Sequence, residues 1–154
     1  LVNAGDFDVC ILASSQKNIV YKQGIHVWVK STDEYNANLM ILLSFIISGH
    51  PDWKKSHIKI FDICKPDHYS EVMENNRKLI KEGRLPITEK NIEIIIEEPD
   101  TNPRELICKN SRDAALTLIG FRGESLKHDE DVFSGYEELG TILFVNSHNQ
   151  KTIE

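Results

Sequence analysis

Residues 24–63 read GIHVWVKSTDEYNANLMILLSFIISGHPDWKKSHIKIFDI, and this stretch decides the fold. Residues 25–30 (IHVWVK) form a strand with Ile25, Val27 and Val29 on one face and Trp28 on the other. Apolar side chains on both faces point to a sheet covered on each side, as in α/β proteins. Residues 34–48 follow as a helix. Leu39, Leu42, Leu43, Ile46 and Ile47 recur at helical spacing, while Met40 and Ile41 widen the stripe. Ser31 and Glu34 are spaced as a capping box. Gly49 fits the left-handed position after the helix, and Pro51 stops its continuation. Residues 57–63 (HIKIFDI) alternate into a second strand. The segment is half of a parallel sheet.

The same punctuation continues outward. Residues 66–83 predict an amphipathic helix with Tyr69, Val72, Met73 and Ile80 on one face, closed by Gly83 and Pro86. Residues 91–97 (NIEIIIE) form a β-branched strand. Asn102, Pro103 and Glu105 supply a cap, a first-turn proline and a carboxylate at the positive end of a short helix. Residues 114–119 (AALTLI) and 141–145 are strands, and 131–139 predict a short helix between them. Upstream, 8–13 (DVCILA) is a strand, 14–18 a turn, and 19–21 a short returning strand. Repeated strand–helix–strand units predict a three-layer fold. Its sheet is mostly parallel, with helices on both faces and strand 8–13 as an extra N-terminal edge strand. Residues 147–154 are polar and expected to fray.

With 154 residues, one α/β domain spanning 1–154 is expected. The chain starts at Leu1 rather than Met, so we expect a piece of a longer protein. The net charge of −6 disfavours nucleic acid, which needs a clustered basic surface, and anionic lipid. The longest apolar run, residues 39–47, is less than half the ~20 residues a membrane helix needs, so direct membrane insertion is not expected. Cys10, Cys64 and Cys108 lack close spacing and fit a reducing compartment. Cys10 and Cys64, in apolar strands, read as buried inert thiols.

Ligands of open parallel sheets sit beyond the carboxyl ends of the strands. The loop after the first main strand, KSTDEY (30–35), has no glycine and two carboxylates, which disfavours a phosphate. The loop after strand 114–119 carries Gly120 and Gly123, followed later by Gly135. This is similar to the phosphate loop of ATP-binding universal stress proteins, though Tyr136 follows the third glycine and the spacing is one or two residues long. Glu124, Asp129, Glu130 and Asp131 lie between and would repel a polyphosphate. These three glycines form the alternative nucleotide loop. His26, His50, His57, His68, His128 and His148 show no metal-ligand spacing, and residues 124–131 do not match a calcium loop. His26, beside Trp28, reads as a satisfied core or interface histidine. No nucleophile motif stands out. We expect no catalytic residues, cofactor or metal. Phe121, Val132, Phe133 and Tyr136 are candidates for a partner surface.

The segment 24–63 resembles the cytoplasmic C-terminal domain of the cation–chloride cotransporters and of their prokaryotic relatives, often labelled amino acid permeases. That family shows a strand I-D-V-W-W, a helix opening N-G-x-L-M-L-L-L and a tryptophan before the next strand. Here these stand as Ile25-His26-Val27-Trp28-Val29, as Asn36-Ala37-Asn38-Leu39-Met40-Ile41-Leu42-Leu43, and as Trp53. The family's A-D-L-x-x-L-G pattern appears as Asp113-Ala114-Ala115-Leu116-Thr117-Leu118-Ile119-Gly120. The match spans about residues 8–146. The departures are His26 for Asp, Val29 for the second Trp and Ala37 for Gly. The resemblance implies a universal-stress-protein-like fold and a non-enzymatic regulatory or scaffolding domain on the cytoplasmic face of the cell membrane. Its implied partners are a second copy of itself and its own transmembrane domain, which would lie outside this chain and belong to the amino acid–polyamine–organocation superfamily.

Overall fold

A computed structural model describes residues 8–30, 33–122 and 131–147. Among these residues six strands form one sheet: β1 (Val9–Ala13), β2 (Ile25–Val29), β3 (Ile58–Cys64), β4 (Ile92–Ile96), β5 (Leu116–Gly120) and β6 (Thr141–Asn146). The α-helices among them are α1 (Glu34–Ser48), α2 (Tyr69–Glu82) and α3 (Pro103–Ser111). The spatial order is β1-β6-β5-β2-β3-β4. All neighbours are parallel except β1, which runs antiparallel to β6 at the edge. This is the mixed α/β, Rossmann-like architecture expected of the universal-stress-protein class. The chain winds from β2 first to β3 and β4, then crosses back to β5 and β6. The reversal falls between β2 and β5, where such sheets bind ligands.

The alternation read in IHVWVK places two cores. Ile25, Val27 and Val29 pack with Ile58, Ile60, Leu116, Leu118 and Val145 under α1. On the opposite face Trp28, Phe61, Ile63, Ile119 and Phe144 meet Ile107 and Cys108 of α3. Trp28 stacks on Phe61 with ring centroids 4.2 Å apart and planes 8° from parallel. β2 is thus buried on both faces, as its composition requires.

Several local expectations are corrected. Asn36, Ala37, Met40, Ile41 and Ser44 are the buried residues of α1, and Leu39, Leu43 and Ile47 of the expected stripe pack half-buried against the same core. Leu42 and Ile46 stand exposed. Helical periodicity gives the spacing of an apolar stripe but not which of two adjoining stripes meets the sheet. Gly49 takes a right-handed conformation (φ −72°), because the chain continues into a 3-10 turn at Pro51–Trp53, capped by His50. Gly83, by contrast, is left-handed (φ 65°). The α1 cap position is Asp33, and Ser31 lies outside the described residues.

No returning strand forms at 19–21. A 3-10 turn, Tyr21–Gln23, stands there, with the Tyr21 ring set edge-on against Trp53 at 4.7 Å. No helix forms over 131–139. Side chains compete for its backbone: Asp131 accepts from the Ser134 N–H and Glu137 from the Gly135 N–H, each at 3.2 Å. Gly135 also sits at φ 88°, outside helical space. Cys10 is exposed rather than buried, because β1 is an edge strand. Ser147 is not frayed: it is buried, and its N–H donates to Asn36. Among the described residues, no helix is long and apolar enough to cross a membrane.

Candidate functional site

At the switch point the carboxyl ends of β2 and β5 open a cavity of about 320 Å³. Its floor is Trp28, Ile63, Ile107 and Ile119, and one wall is Asn36, Ala37 and Met40 of α1. Three cations line it: Lys30 directly after β2, Arg122 after β5, and Arg104 in the first turn of α3. Arg104 is already engaged. It donates to the Asp131 carbonyl, and its guanidinium lies 5.7 Å from the Tyr136 ring centroid. Asp33 adds a carboxylate to the lining.

Asn36 organises this site. The side chain is only 2% exposed, and its Oδ1 accepts the Ser147 N–H at 3.0 Å. That bond ties α1 to the segment leaving β6. The Asn36 amide also lies against Gly120: a Cβ there would stand 2.7 Å from Asn36 Nδ2 and 3.1 Å from Met40 Cε. Gly120 is therefore glycine because Asn36 occupies the space of a side chain. Two positions read from sequence as separate motifs form one contact.

The alternative nucleotide loop is only partly assembled. Gly120 lines the cavity, and the next backbone N–H, of Phe121, is taken by the Val145 carbonyl at 2.9 Å. Gly135 lies against Arg104, and its N–H is held by the Glu137 carboxylate. The chain's own carboxylates hold the Ser134 and Gly135 N–H groups that a phosphate would need. Gly123 lies outside the described residues.

Beneath Trp28 lies a polar cluster that sequence reasoning did not find. Ser111 Oγ is 2.8 Å from both Trp28 Nε1 and His26 Nδ1. The indole N–H can only donate, so it donates to Ser111, and His26 Nδ1 shares the same hydroxyl, as acceptor or donor according to its tautomer. His26 is neutral in either arrangement. Burial, with Lys59 nearby, lowers its pKa to about 4. A Ser–His pair at 2.8 Å has the spacing of a nucleophile and its base. Ser111, however, is fully buried and both sides of its hydroxyl are used, so the cluster fixes α3 to β2. His26 is a satisfied core histidine. A serine in the last turn of a helix carries no sequence signal for this role.

The candidate partner surface is corrected in part. Phe121 and Tyr136 are buried, and with Val132 they belong to the core under α3. Phe133 sets its ring edge-on against Phe121 and Phe144 at 5.5 and 4.9 Å but stays 37% exposed. Among the described residues no group of three or more His, Cys, Asp or Glu could hold a metal. His128 and His148, like most of the acidic segment 124–131, lie outside the described residues.

No family model and no curated protein matches the sequence. Solved structures do match the fold. The cytoplasmic domain of a prokaryotic cation chloride cotransporter superposes with a TM-score of 0.62 at 14% identity, covering 97% of this chain and 57% of that one. A functionally unknown protein from Pseudomonas aeruginosa PAO1 superposes at 0.56 and 16% identity, covering 91% and 53%. The chain thus spans little more than half the length of either. At these identities the relationship is structural: this chain has the fold of a cotransporter's cytoplasmic domain.

Proposed function

We propose that this chain is a cytosolic regulatory and scaffolding domain of a secondary membrane transporter, of the cation–chloride cotransporter or amino acid permease kind. In this reading it works by association, with a second copy and with its own membrane-spanning part, and performs no catalysis. The observation that carries the reading is the fold correspondence over 97% of the chain with a cotransporter's cytoplasmic domain. The motif residues agree with it: Trp28, Asn36 and Gly120 all do structural work, joining helices to the sheet. The test is to sequence the coding region flanking this chain and to measure flux through the encoded protein with and without the domain. Flanking apolar spans and altered flux support the reading. A flank without such spans would overturn it.

A second reading is favoured by one feature: the cavity at the switch point with Lys30, Arg104 and Arg122 around it. This is where a universal-stress-type protein would seat a nucleotide, its phosphates against the cations. Calorimetry with ATP and AMP at millimolar concentration separates the two readings. Binding heat that disappears in Lys30→Ala supports the nucleotide site, and its absence removes it.

A further inference from the structure

We propose that the cavity at the carboxyl ends of β2 and β5 binds a small organic carboxylate with an apolar body, its carboxylate held by Asn36, Lys30 and Arg122. This goes beyond both readings above, since it requires neither a transporter nor a nucleotide.

Asn36 supplies the observation that points to a ligand. It is buried and lines the cavity. Its Oδ1 is satisfied by the Ser147 N–H, but its Nδ2 donates to no group among the described residues. A buried amide N–H without an acceptor costs free energy, and beside a cavity it marks where an acceptor would bind. Gly120 gives Nδ2 its place in the wall, because a Cβ there would stand only 2.7 Å away.

The other two donors are charged. Lys30 directly follows β2 and Arg122 comes after β5, on either side of the switch point. Neither is held in an ion pair among the described residues. Arg104 adds a third positive charge, although its guanidinium is engaged by the Asp131 carbonyl and the Tyr136 ring. Both α1 and α3 begin at the cavity, through Asn36 and Ala37 of one and Pro103 and Arg104 of the other, and their positive ends favour an anion. Against these, Asp33 is the carboxylate among the described lining residues. In a chain of net charge −6, the cavity is a local reversal of sign.

Floor and size choose among anions. Trp28, Ile63, Ile107 and Ile119 are apolar, so the ligand needs a body to bury, which inorganic anions lack. The volume of about 320 Å³ lies at the small end of ligand cavities, which run ~300–1,000 Å³. A phosphate chain would call on backbone N–H groups, and those of Phe121, Ser134 and Gly135 are already taken within the chain. A carboxylate needs only side-chain donors, and its two oxygens suit a guanidinium or an amide together with an ammonium.

The experiment is calorimetry on the wild-type chain with acetate, butyrate and hexanoate, with hexanamide as the neutral match, and with ATP and inorganic phosphate. Hexanoate should bind saturably, with affinity rising about fourfold per methylene along the series as the floor is covered. Hexanamide should bind at least about tenfold more weakly than hexanoate. Lys30→Gln and Arg122→Gln, both at exposed positions, should each weaken hexanoate about three- to tenfold with circular dichroism unchanged. In an NMR titration of the wild-type chain the Asn36 side-chain amide should shift, while that of Asn110, bonded to the Leu106 carbonyl on α3, stays in place. This reads the site even if a variant misfolds. No saturable hexanoate binding, equal affinity for hexanamide or acetate, an unmoved Asn36 amide, or full affinity in both folded variants overturns the proposal. ATP binding that is lost in Lys30→Gln, without hexanoate binding, also overturns it and leaves the nucleotide reading standing. Hexanoate binding without ATP binding supports the proposal and removes the nucleotide reading.

Discussion

Replacing Gly120 with alanine should be far more damaging than one added methyl suggests. The backbone is not the obstacle, since Gly120 is not among the positive-φ glycines. The obstacle is Asn36, whose Nδ2 would lie 2.7 Å from the new Cβ. Asn36 cannot swing aside freely, because it is buried and its Oδ1 holds the Ser147 N–H at 3.0 Å. Overpacking of this kind costs about 1–3 kcal/mol, and losing the buried hydrogen bond about 1–3 more. We expect a total of about 2–6 kcal/mol. Urea denaturation reads it directly: at a slope of ~2 kcal/mol per molar, the midpoint should fall by about 1–3 M. In an Asn36→Ala background the space is vacant, so the same Gly120→Ala change should cost less than about 1 kcal/mol. The cycle should therefore show a coupling above ~1 kcal/mol. A Gly120→Ala cost within ~0.5 kcal/mol of zero, or equal costs in both backgrounds, would refute the Asn36–Gly120 clamp.

Other consequences follow from the same packing. Gly24→Ala should destabilise by about 3 kcal/mol or more in urea, because Gly24 sits at φ 88° and its Cβ would fall 2.5 Å from the His57 carbonyl oxygen. Ser111→Ala should cost about 2–4 kcal/mol, since it strands both the Trp28 N–H and His26 Nδ1, and Trp28 fluorescence should shift. His26 should stay neutral by NMR titration down to about pH 4. Between pH ~6.5 and ~4 only the unfolded chain holds that proton, so the contribution is complete above pH ~6.5 and lost as pH falls. It is worth no more than about 3 kcal/mol, and His26→Gln should flatten the slope of stability in that window.

Legibility followed the physics of each element. The strands were readable because β2 and β3 are buried on two faces and leave long apolar runs bounded by Gly and Pro. The cap at Asn102 was readable because its chemistry is local: its side chain accepts the Arg104 N–H at 3.0 Å. The orientation of α1 was not, since the choice between the Asn36–Ser44 side and the Leu42–Ile46 side depends on partners over a hundred residues away, such as Ser147. The 131–139 segment failed similarly, because bonds from Asp131 and Glu137 overrode helical propensity. At the candidate site, Gly120 was read as a loop glycine when its reason is Asn36. Lys30 and Arg122 lie just beyond strand ends, where the strand-end rule could have gathered them, while Arg104 enters from the first turn of α3. Ser111 left no trace in the pattern.

The proposal that this fold serves a transporter from the cytosolic side is tested most directly by flux. The full-length protein encoded around this chain would be reconstituted in liposomes, intact and with residues 8–147 deleted. We predict that the remainder still inserts and transports, with its rate or its response to regulation changed. Flux identical in the two proteins, at equal amounts inserted, would contradict the account.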